Sequence, residues 1–348
     1  LMGRNVFALS GGEKQMLAFA SVYAMNPEIY MLDEPTANLD EDAIRKLREQ
    51  IILLKKQGKT VVIAEHRLFF LADIIDRAVY IRNGEIKQIF SGEEFQALSD
   101  KERISMGLRT IHQTELRLKP AGNIESTSSE KTVGSEEASG SNGADSGLCV
   151  RMLSCGYKKS PAVFENLSFT AYPGEVLGIT GHNGVGKSTL IRCLCGLLKE
   201  KGGSITLNGR ILKPKQRQKA CYLVMQEVNH QLFSDTVFGE CEQLGTADPE
   251  EIRRVLKHFD LDAYEDVHPM ALSGGQKQRL AVATAVLSGR EVLIFDEPTS
   301  GLDYRHMMEV CRITKQLAKD GRIVLVVSHD KEFMQEACDR LLTLGGGK

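Results

Sequence analysis

No run of apolar residues in this 348-residue sequence is long enough to cross a bilayer. The longest, such as residues 61–64 and 323–327, are strand-sized, whereas a spanning helix needs about 20 apolar residues. The chain is therefore not expected to be a channel, a permease or a membrane-spanning pump. An excess of one charge is missing too: 44 Lys and Arg face 46 Asp and Glu, a formal net charge of −2. That balance offers no basic footprint for nucleic acid and no polybasic membrane tail. Cysteines are present, at 149, 155, 193, 195, 221, 241, 311 and 338, but no two stand as Cys-x-x-Cys. Their spacing speaks against metal binding, and with no signal peptide it reads as buried, reduced thiols in a cytosolic protein. No targeting segment opens the chain; Leu1-Met2 leads at once into helix-like sequence, and Gly345-Gly346-Gly347-Lys348 stops in a turn. Both ends read as cut.

What is there is an ordinary globular balance, 42% hydrophobic and 26% charged, with length for about two domains. Self-comparison shows how they are arranged. Leu9-Ser10-Gly11-Gly12-Glu13-Lys14-Gln15 recurs as Leu272-Ser273-Gly274-Gly275-Gln276-Lys277-Gln278, an offset of 263. Asp33-Glu34-Pro35-Thr36 recurs as Asp296-Glu297-Pro298-Thr299 at that same offset. So do Leu39-Asp40 as Leu302-Asp303, Gly58 as Gly321, and His66 as His329. Two copies of one domain are expected. Residue 1 aligns with Tyr264, so residues 149–263 of the second copy have no counterpart, and the first copy reads as lacking its front end. The domains are placed at 1–118 and 148–348, with a linker at 119–147. From 121 to 147 that segment is mostly Ser, Gly, Glu, Thr and Asn, with Ile124 and Val133 its only large apolar residues. It cannot bury enough surface to offset its ordering entropy, and as a coil it would span roughly 30 Å.

Strand-like and helix-like stretches alternate. Residues 291–295 form a β-rich run ending at acidic residues. The helical pattern after it carries Met307, Val310, Ile313 and Leu317 at three- and four-residue spacing, Gly321 stops it, and 323–327 is the next buried strand. The first copy repeats this with 29–32, then Ile44, Leu47, Ile51 and Leu54, then Gly58 and 60–64. Strand, helix, strand with buried strands implies an α/β fold around a parallel sheet with right-handed crossovers.

Gly181-His182-Asn183-Gly184-Val185-Gly186-Lys187-Ser188-Thr189 fits G-x-x-x-x-G-K-[ST], after a strand-like 175–180 and before an apolar helix from Leu190. Such glycines let backbone N–H groups face phosphate oxygens; Lys187 reaches the β- and γ-phosphates, and the Ser188 hydroxyl suits Mg²⁺. The helix N-terminus adds the positive end of its dipole. Val292-Leu293-Ile294-Phe295-Asp296-Glu297 is the second element. Asp296 ends a buried strand, where ligands bind in open parallel sheets, and suits Mg²⁺ through water. Glu297 suits the polarisation of an attacking water.

On these residues the chain resembles the ATP-binding cassette ATPases, P-loop proteins with a parallel-sheet core and a helical signature subdomain, here as two cassettes in tandem. Leu272-Ser273-Gly274-Gly275-Gln276 resembles the signature motif, so Ser273, Gly274, Gly275 and, in the first copy, Ser10, Gly11 and Gly12 are implied to contact the γ-phosphate held by the other cassette. The resemblance makes Gln226 a metal and water contact, Asp303 and Asp40 D-loop residues, and His329 and His66 switch histidines. Asp33 and Glu34 then parallel Asp296 and Glu297, as metal and catalytic carboxylates. Tyr157 stands where the family places an aromatic against adenine. ATP and Mg²⁺ are the implied cofactors. The departure is that the first copy shows no phosphate loop and no Q-loop, so one complete composite site and one bound nucleotide are expected, with the first copy folding poorly alone.

Gln226-Glu227-Val228-Asn229-His230-Gln231-Leu232-Phe233-Ser234-Asp235-Thr236-Val237 and Ala64-Glu65-His66-Arg67 resemble the ATPases of energy-coupling factor transporters, importers of vitamins and transition-metal ions. That likeness implies a transmembrane coupling protein and a small membrane substrate-capture protein as partners, a pseudo-dimer of the two cassettes, a peripheral place on the cytoplasmic face of the membrane, and no nucleic acid. The alternative for Leu232 and Phe233 is simple packing inside the helical subdomain. Two other classes stay open: a sugar-type importer ATPase, and a soluble ribosome-associated tandem ATPase, against which the net charge and the Ser/Gly/Glu-rich linker speak.

Overall fold

The computed structural model describes residues 6, 11–37, 39–121, 146–157, 160–244 and 247–345. They form two compact units, one from 1–116 with 299–309, the other from 117–298 with 310–348.

The first unit begins with α1 (Gly11–Ala24), β1 (Ile29–Asp33), α2 (Glu41–Lys56) and β2 (Thr60–Ala64). β1 and β2 pair in parallel, from Ile29 opposite Thr60 to Asp33 opposite Ala64, with α2 as the crossover. The spacing of Ile44, Leu47, Ile51 and Leu54 places them on one helical stripe. All four are buried, against Phe19, Tyr30, Leu39, Phe70 and Leu71. β3 (Arg77–Arg82) and β4 (Glu85–Ser91) form an antiparallel hairpin. Its two-residue turn is Asn83-Gly84, both left-handed at φ 54° and 75°, the combination that matches the twist of paired strands. Two short helices, α3 (Gly92–Gln96) and α4 (Asp100–Met106), each open with a capping box, Ser91 with Glu94 and Ser99 with Glu102.

The second unit holds two sheets. Lys119–Pro120 is β5, followed by β6 (Leu148–Cys155), β7 (Phe164–Ala171), β8 (Val176–Thr180), α5 (Lys187–Leu194), β9 (Gly202–Leu207), β10 (Arg210–Ile211), α6 (Pro214–Ala220) and β11 (Cys221–Val224). Then come α7 (Val237–Glu242), α8 (Pro249–His258), α9 (Gly274–Leu287), β12 (Val292–Asp296), α10 (Tyr304–Lys319), β13 (Ile323–Val327), α11 (Lys331–Ala337) and β14 (Arg340–Thr343). The larger sheet runs β11-β12-β13-β8-β14-β5, with every recorded pair parallel; the smaller, β10-β9-β6-β7, is antiparallel. Val292, Leu293, Ile294 and Phe295, and all five residues of β13, are buried, as strands covered on both faces must be. Leu148, Val150, Phe169, Leu177, Ile179, Leu190, Ile294 and Leu325 belong to one core that joins the two sheets and α5. α7, α8 and α9 pack on one another as the helical layer.

Two boundaries differ from expectation. Lys119–Pro120 pairs with Arg340 and Leu341, and the Ala121 N–H donates to the Leu341 carbonyl at 2.7 Å. These first residues of the expected linker are an edge strand, because the outer side of β14 offers unpaired backbone groups. At its other end the Gly147 N–H donates to Asn208 Oδ1 at 2.9 Å, and 122–145 lies outside the described residues. The phosphate-loop helix begins at Lys187 rather than Leu190, because Gly186, at φ 110°, starts it. Among the described residues no helix is long and apolar enough to cross a membrane, and no cluster of three metal-ligating side chains occurs. Seven cysteines are buried as free thiols and Cys149 is half-buried.

Candidate functional site

In the second unit β8, β12 and β13 are neighbours, so the loop after β8, the acidic end of β12 and the residues after β13 meet at the carboxyl edge of one sheet. The loop runs through three left-handed glycines, Gly181, Gly184 and Gly186, at φ 153°, 81° and 110°. A Cβ on Gly181 would lie 2.9 Å from the Leu344 carbonyl oxygen, and one on Gly186 2.6 Å from a Val163 methyl. Only glycine fits there. The loop delivers the chain into α5, whose first N–H groups have no partner within the helix, so that end is suited to phosphate oxygens. Lys187 folds over the loop, donating to the Gly181 carbonyl at 2.7 Å and the His182 carbonyl at 3.2 Å. Ser188 is exposed and Thr189 buried.

Asp296 ends β12. Burial pushes its carboxyl up to about 6, against the downward pull of the Lys187 and Arg192 cations. The donor types fit a cation: a half-buried carboxylate ends β12, and the exposed hydroxyl of Ser188 lies in the first turn of α5. The shift also predicts a stability effect. A folded value above the ordinary 3.8 means that folding is favoured below that value and loses this contribution as pH rises through about 6. Asp296→Asn is therefore expected to stabilise the chain without nucleotide by about 3 kcal/mol at pH 7.5. The gain should shrink toward zero as the pH is lowered through 6 to 4. Urea unfolding at several pH values checks this; a gain independent of pH would contradict it.

Glu297 follows in the left-handed region, at φ 50°, and is buried. Its backbone N–H donates to the Val327 carbonyl at 2.8 Å. Its carboxylate accepts from the Ser328 hydroxyl at 2.8 Å and from the His329 backbone N–H at 3.0 Å. The His329 ring in turn reaches the phosphate loop, with Nε2 3.1 Å from Asn183 Oδ1; an amide oxygen accepts, so this ring nitrogen carries the proton. Glu297, His329 and Asn183 thus form one connected path from the end of β12 to the loop.

The remaining expected residues of the second unit lie on other elements. Gln226 is half-buried, two residues beyond β11. Tyr157 is exposed, and its hydroxyl accepts from Arg192 Nη1 at 3.0 Å. Ser273 caps α9 through a capping box with Gln276, with Ser273 and Gly274 exposed and Gly275 half-buried. Leu232 and Phe233 separate: Leu232 is 3% exposed and Phe233 77%, so packing accounts for the first and not the second. Gln231 has a role that the sequence did not show. Its amide accepts from the Met225 N–H and donates to the Tyr222 hydroxyl and the Leu223 carbonyl, closing the turn that contains Gln226.

The first unit arranges its equivalents differently. Glu34 is again left-handed, at φ 41°. Here, however, Glu65, at the position of Ser328 by the 263-residue offset, takes the central place. It accepts from Thr36 Oγ1 at 2.7 Å and from the His66 and Arg67 backbone N–H groups. Glu34 Oε1 is instead 3.7 Å from His66 Nε2; burial raises its carboxyl while His66 draws it down. Asp33 is exposed at the end of β1. Asp40 accepts from the Ala43 N–H and Asp303 from the His306 N–H, so both D-loop candidates cap the helices that follow. Burial pushes Asp303 up, but its hydrogen bonds with His306 outweigh that and hold the carboxyl low. Gly11 and Gly12 open α1; Ser10 lies outside the described residues.

The ABC transporter family model matches residues 1–37 and 164–300. A Treponema denticola protein, provisionally named an ABC transporter ATP-binding protein, is 45% identical over 350 residues, covering 100% of this chain and 69% of the relative. A Bacillus subtilis protein, YkoD, provisionally named an HMP/thiamine import ATP-binding protein, is 32% identical over 371 residues, 99% of this chain and 65% of its own. Among solved structures, CbiO1 from Clostridium perfringens, described as part of the ABC transporter complex cbiONQ, superposes with a TM-score of 0.52 at 28% identity, covering 58% of this chain and 85% of that one. The chain belongs to the ABC transporter family, as an ATP-binding and ATP-hydrolysing subunit.

Proposed function

We propose that the chain is the two-cassette ATPase of an energy-coupling-factor-type importer. It powers uptake of a vitamin, a vitamin precursor or a metal ion at the cytoplasmic face of the membrane, through a transmembrane coupling protein and a small substrate-capture protein. The observation that carries the ATPase half is the path from Glu297 through His329 to Asn183. It fixes a buried carboxylate beside a phosphate-binding loop. Gly181, Asn183, Gly184, Gly186, Lys187, Ser188 and Thr189 receive the phosphates, and Tyr157 receives the base. Glu297 accepts the proton of the attacking water, and His329 donates to the terminal phosphate. Ser188, Gln226 and Asp296 would hold Mg²⁺, which supplies charge neutralisation at the phosphates when bound. Ser273 and Gly274 stand exposed at the start of α9, as contacts to a nucleotide bound on another cassette require.

The importer half is supported by Phe233, an exposed aromatic just beyond the Gln231 latch, and by likeness to the B. subtilis and C. perfringens proteins. A large apolar side chain held in water beside a turn that follows the nucleotide suits docking to a membrane partner.

Calorimetry with Mg-ATP should show nucleotide bound at the loop of residues 181–189. No detectable binding would overturn the phosphate-loop assignment. Affinity purification of the chain from detergent-solubilised native membranes is expected to bring down a coupling protein with a small substrate-capture protein. Recovery of a pair of permeases or of ribosomes in their place would sink the importer type while leaving the ATPase reading intact.

A further inference from the structure

Two thiols of the second unit have no part in the reading above. Cys155 is the last residue of β6 and Cys193 lies in α5. Both are fully buried, and their sulfurs share a hydrogen bond at 2.7 Å, against about 2.05 Å in a disulfide. A small side-chain adjustment separates the two states. Beside them is the Arg217 guanidinium, itself 1% exposed. It is tied to Glu200 at 2.5 Å and to the Leu212 carbonyl at 3.2 Å, and its Nε has no partner among the described residues. The thiols are also inequivalent. The hydrogen bond shared with Cys193 draws the Cys155 thiol down against burial and the Glu200 carboxylate, with a smaller downward pull from Arg217. The same bond and then burial push Cys193 up. Cys155 is the readier of the two to give up its proton, the inequivalence of an attacking and a resolving cysteine.

Position gives the pair consequence. Cys155 lies two residues before the exposed Tyr157, and Cys193 follows Arg192, whose Nη1 bonds the Tyr157 hydroxyl at 3.0 Å. We propose that Cys155 and Cys193 are a reversible disulfide site that ties the strand leading to Tyr157 onto the phosphate-loop helix. The oxidant is a peroxide, small enough to reach buried sulfurs through local opening of a folded chain. The Cys155 thiolate attacks one peroxide oxygen and the O–O bond breaks. The leaving hydroxide takes a proton to become water, and Cys155 becomes a sulfenic acid. The Cys193 sulfur then attacks Cys155 sulfur, the S–O bond breaks, and the departing hydroxide combines with the Cys193 proton as a second water. The two thiols lose two electrons, which reduce the peroxide. In the bonded state Tyr157 stays against Arg192 and its ring cannot turn to a nucleotide base.

Exposure of the reduced full chain to hydrogen peroxide, followed by peptide mapping in a mass spectrometer, tests this. The expected product links the peptides holding Cys155 and Cys193, two hydrogens lighter than their sum, and dithiothreitol separates them. Cys193→Ser should leave Cys155 as a sulfenic acid that dimedone captures; if that variant fails to fold, the map of the parent chain still decides. Both thiols remaining free while other cysteines react, a bond only between Cys195 and Cys221, or sulfinic acid at Cys155 with Cys193 intact would each overturn the site. The oxidised chain should bind ATP about fivefold more weakly, with recovery on reduction. Unchanged affinity in a fully linked chain would overturn the tie to the nucleotide site. This last arm rests on the proposed nucleotide site: absence of ATP binding by the reduced chain would count against that site, and the peptide map would still judge the disulfide.

Discussion

Glu297→Gln is expected to leave ATP binding within a few-fold of the parent and to cut phosphate release by about 10²–10⁴-fold, the usual worth of a positioned general base. The geometry makes the substitution selective. Glutamine can keep both contacts of the carboxylate: its oxygen accepts from the His329 backbone N–H, and its nitrogen donates to the Ser328 hydroxyl, which has lone pairs to receive it. The left-handed backbone at φ 50° costs the two residues alike. What is lost is the ability to take a proton. Calorimetry for binding and phosphate release in the presence of the membrane partners give the two readings separately. Parental turnover in the variant would remove Glu297 from the chemistry. Loss of binding together with turnover would make it a structural support for the His329 turn instead. Because Glu65 rather than Glu34 holds the equivalent turn of the first unit, Glu34→Gln provides the contrast and should leave phosphate release nearly unchanged.

That contrast also marks where the sequence stops being informative. The buried strands at Val292–Asp296 and Ile323–Val327 are legible because a strand covered on both faces needs an unbroken apolar run. The stripe of Ile44, Leu47, Ile51 and Leu54 is legible because one face of α2 must be buried. The phosphate loop is legible because its backbone shape demands glycine at fixed positions. Glu65 is not. Nothing local distinguishes a carboxylate that caps a turn from one that faces solvent; only its place opposite Thr36, 29 residues away, decides. Gln231 is hidden in the same way, since its amide closes a turn whose shape exists only in the fold. Lys119–Pro120 has no strand character and pairs because β14 has a free edge. Cys155 and Cys193 are 38 residues apart and meet only because β6 packs on α5. Leu232 and Phe233, neighbours of like polarity, part company because the Glu240 carboxylate pins the backbone N–H groups of Phe233 and Ser234 at 2.8 Å each, a constraint that no periodicity reports.

Lys187→Ala is expected to weaken ATP binding by about 10–100-fold, the 1.5–3 kcal/mol of a charge-assisted hydrogen bond, and to abolish measurable hydrolysis. Two effects act together. The variant loses the cation that faces the β- and γ-phosphates, and in its nucleotide-free form it leaves the Gly181 and His182 carbonyls without the ammonium that now bridges them. The loop should therefore hold its phosphate-ready shape less well. A third consequence separates this residue from a generic loop support. Lys187 is the stronger of the two cations that draw the Asp296 carboxyl down against burial, which leaves it at about 6. Without Lys187 that carboxyl should rise further, so whatever metal-dependent nucleotide binding survives should require a higher pH than in the parent. Lys187→Arg retains a cation near Asp296 and should keep the parental pH dependence, even if the larger head fits the loop poorly. Titrations of Mg-ATP from pH 6 to 8 in the three proteins decide the point. Unchanged affinity in the alanine variant would remove the phosphate-loop assignment. Weakened affinity with an unshifted pH dependence would confine Lys187 to the phosphates and disconnect it from Asp296.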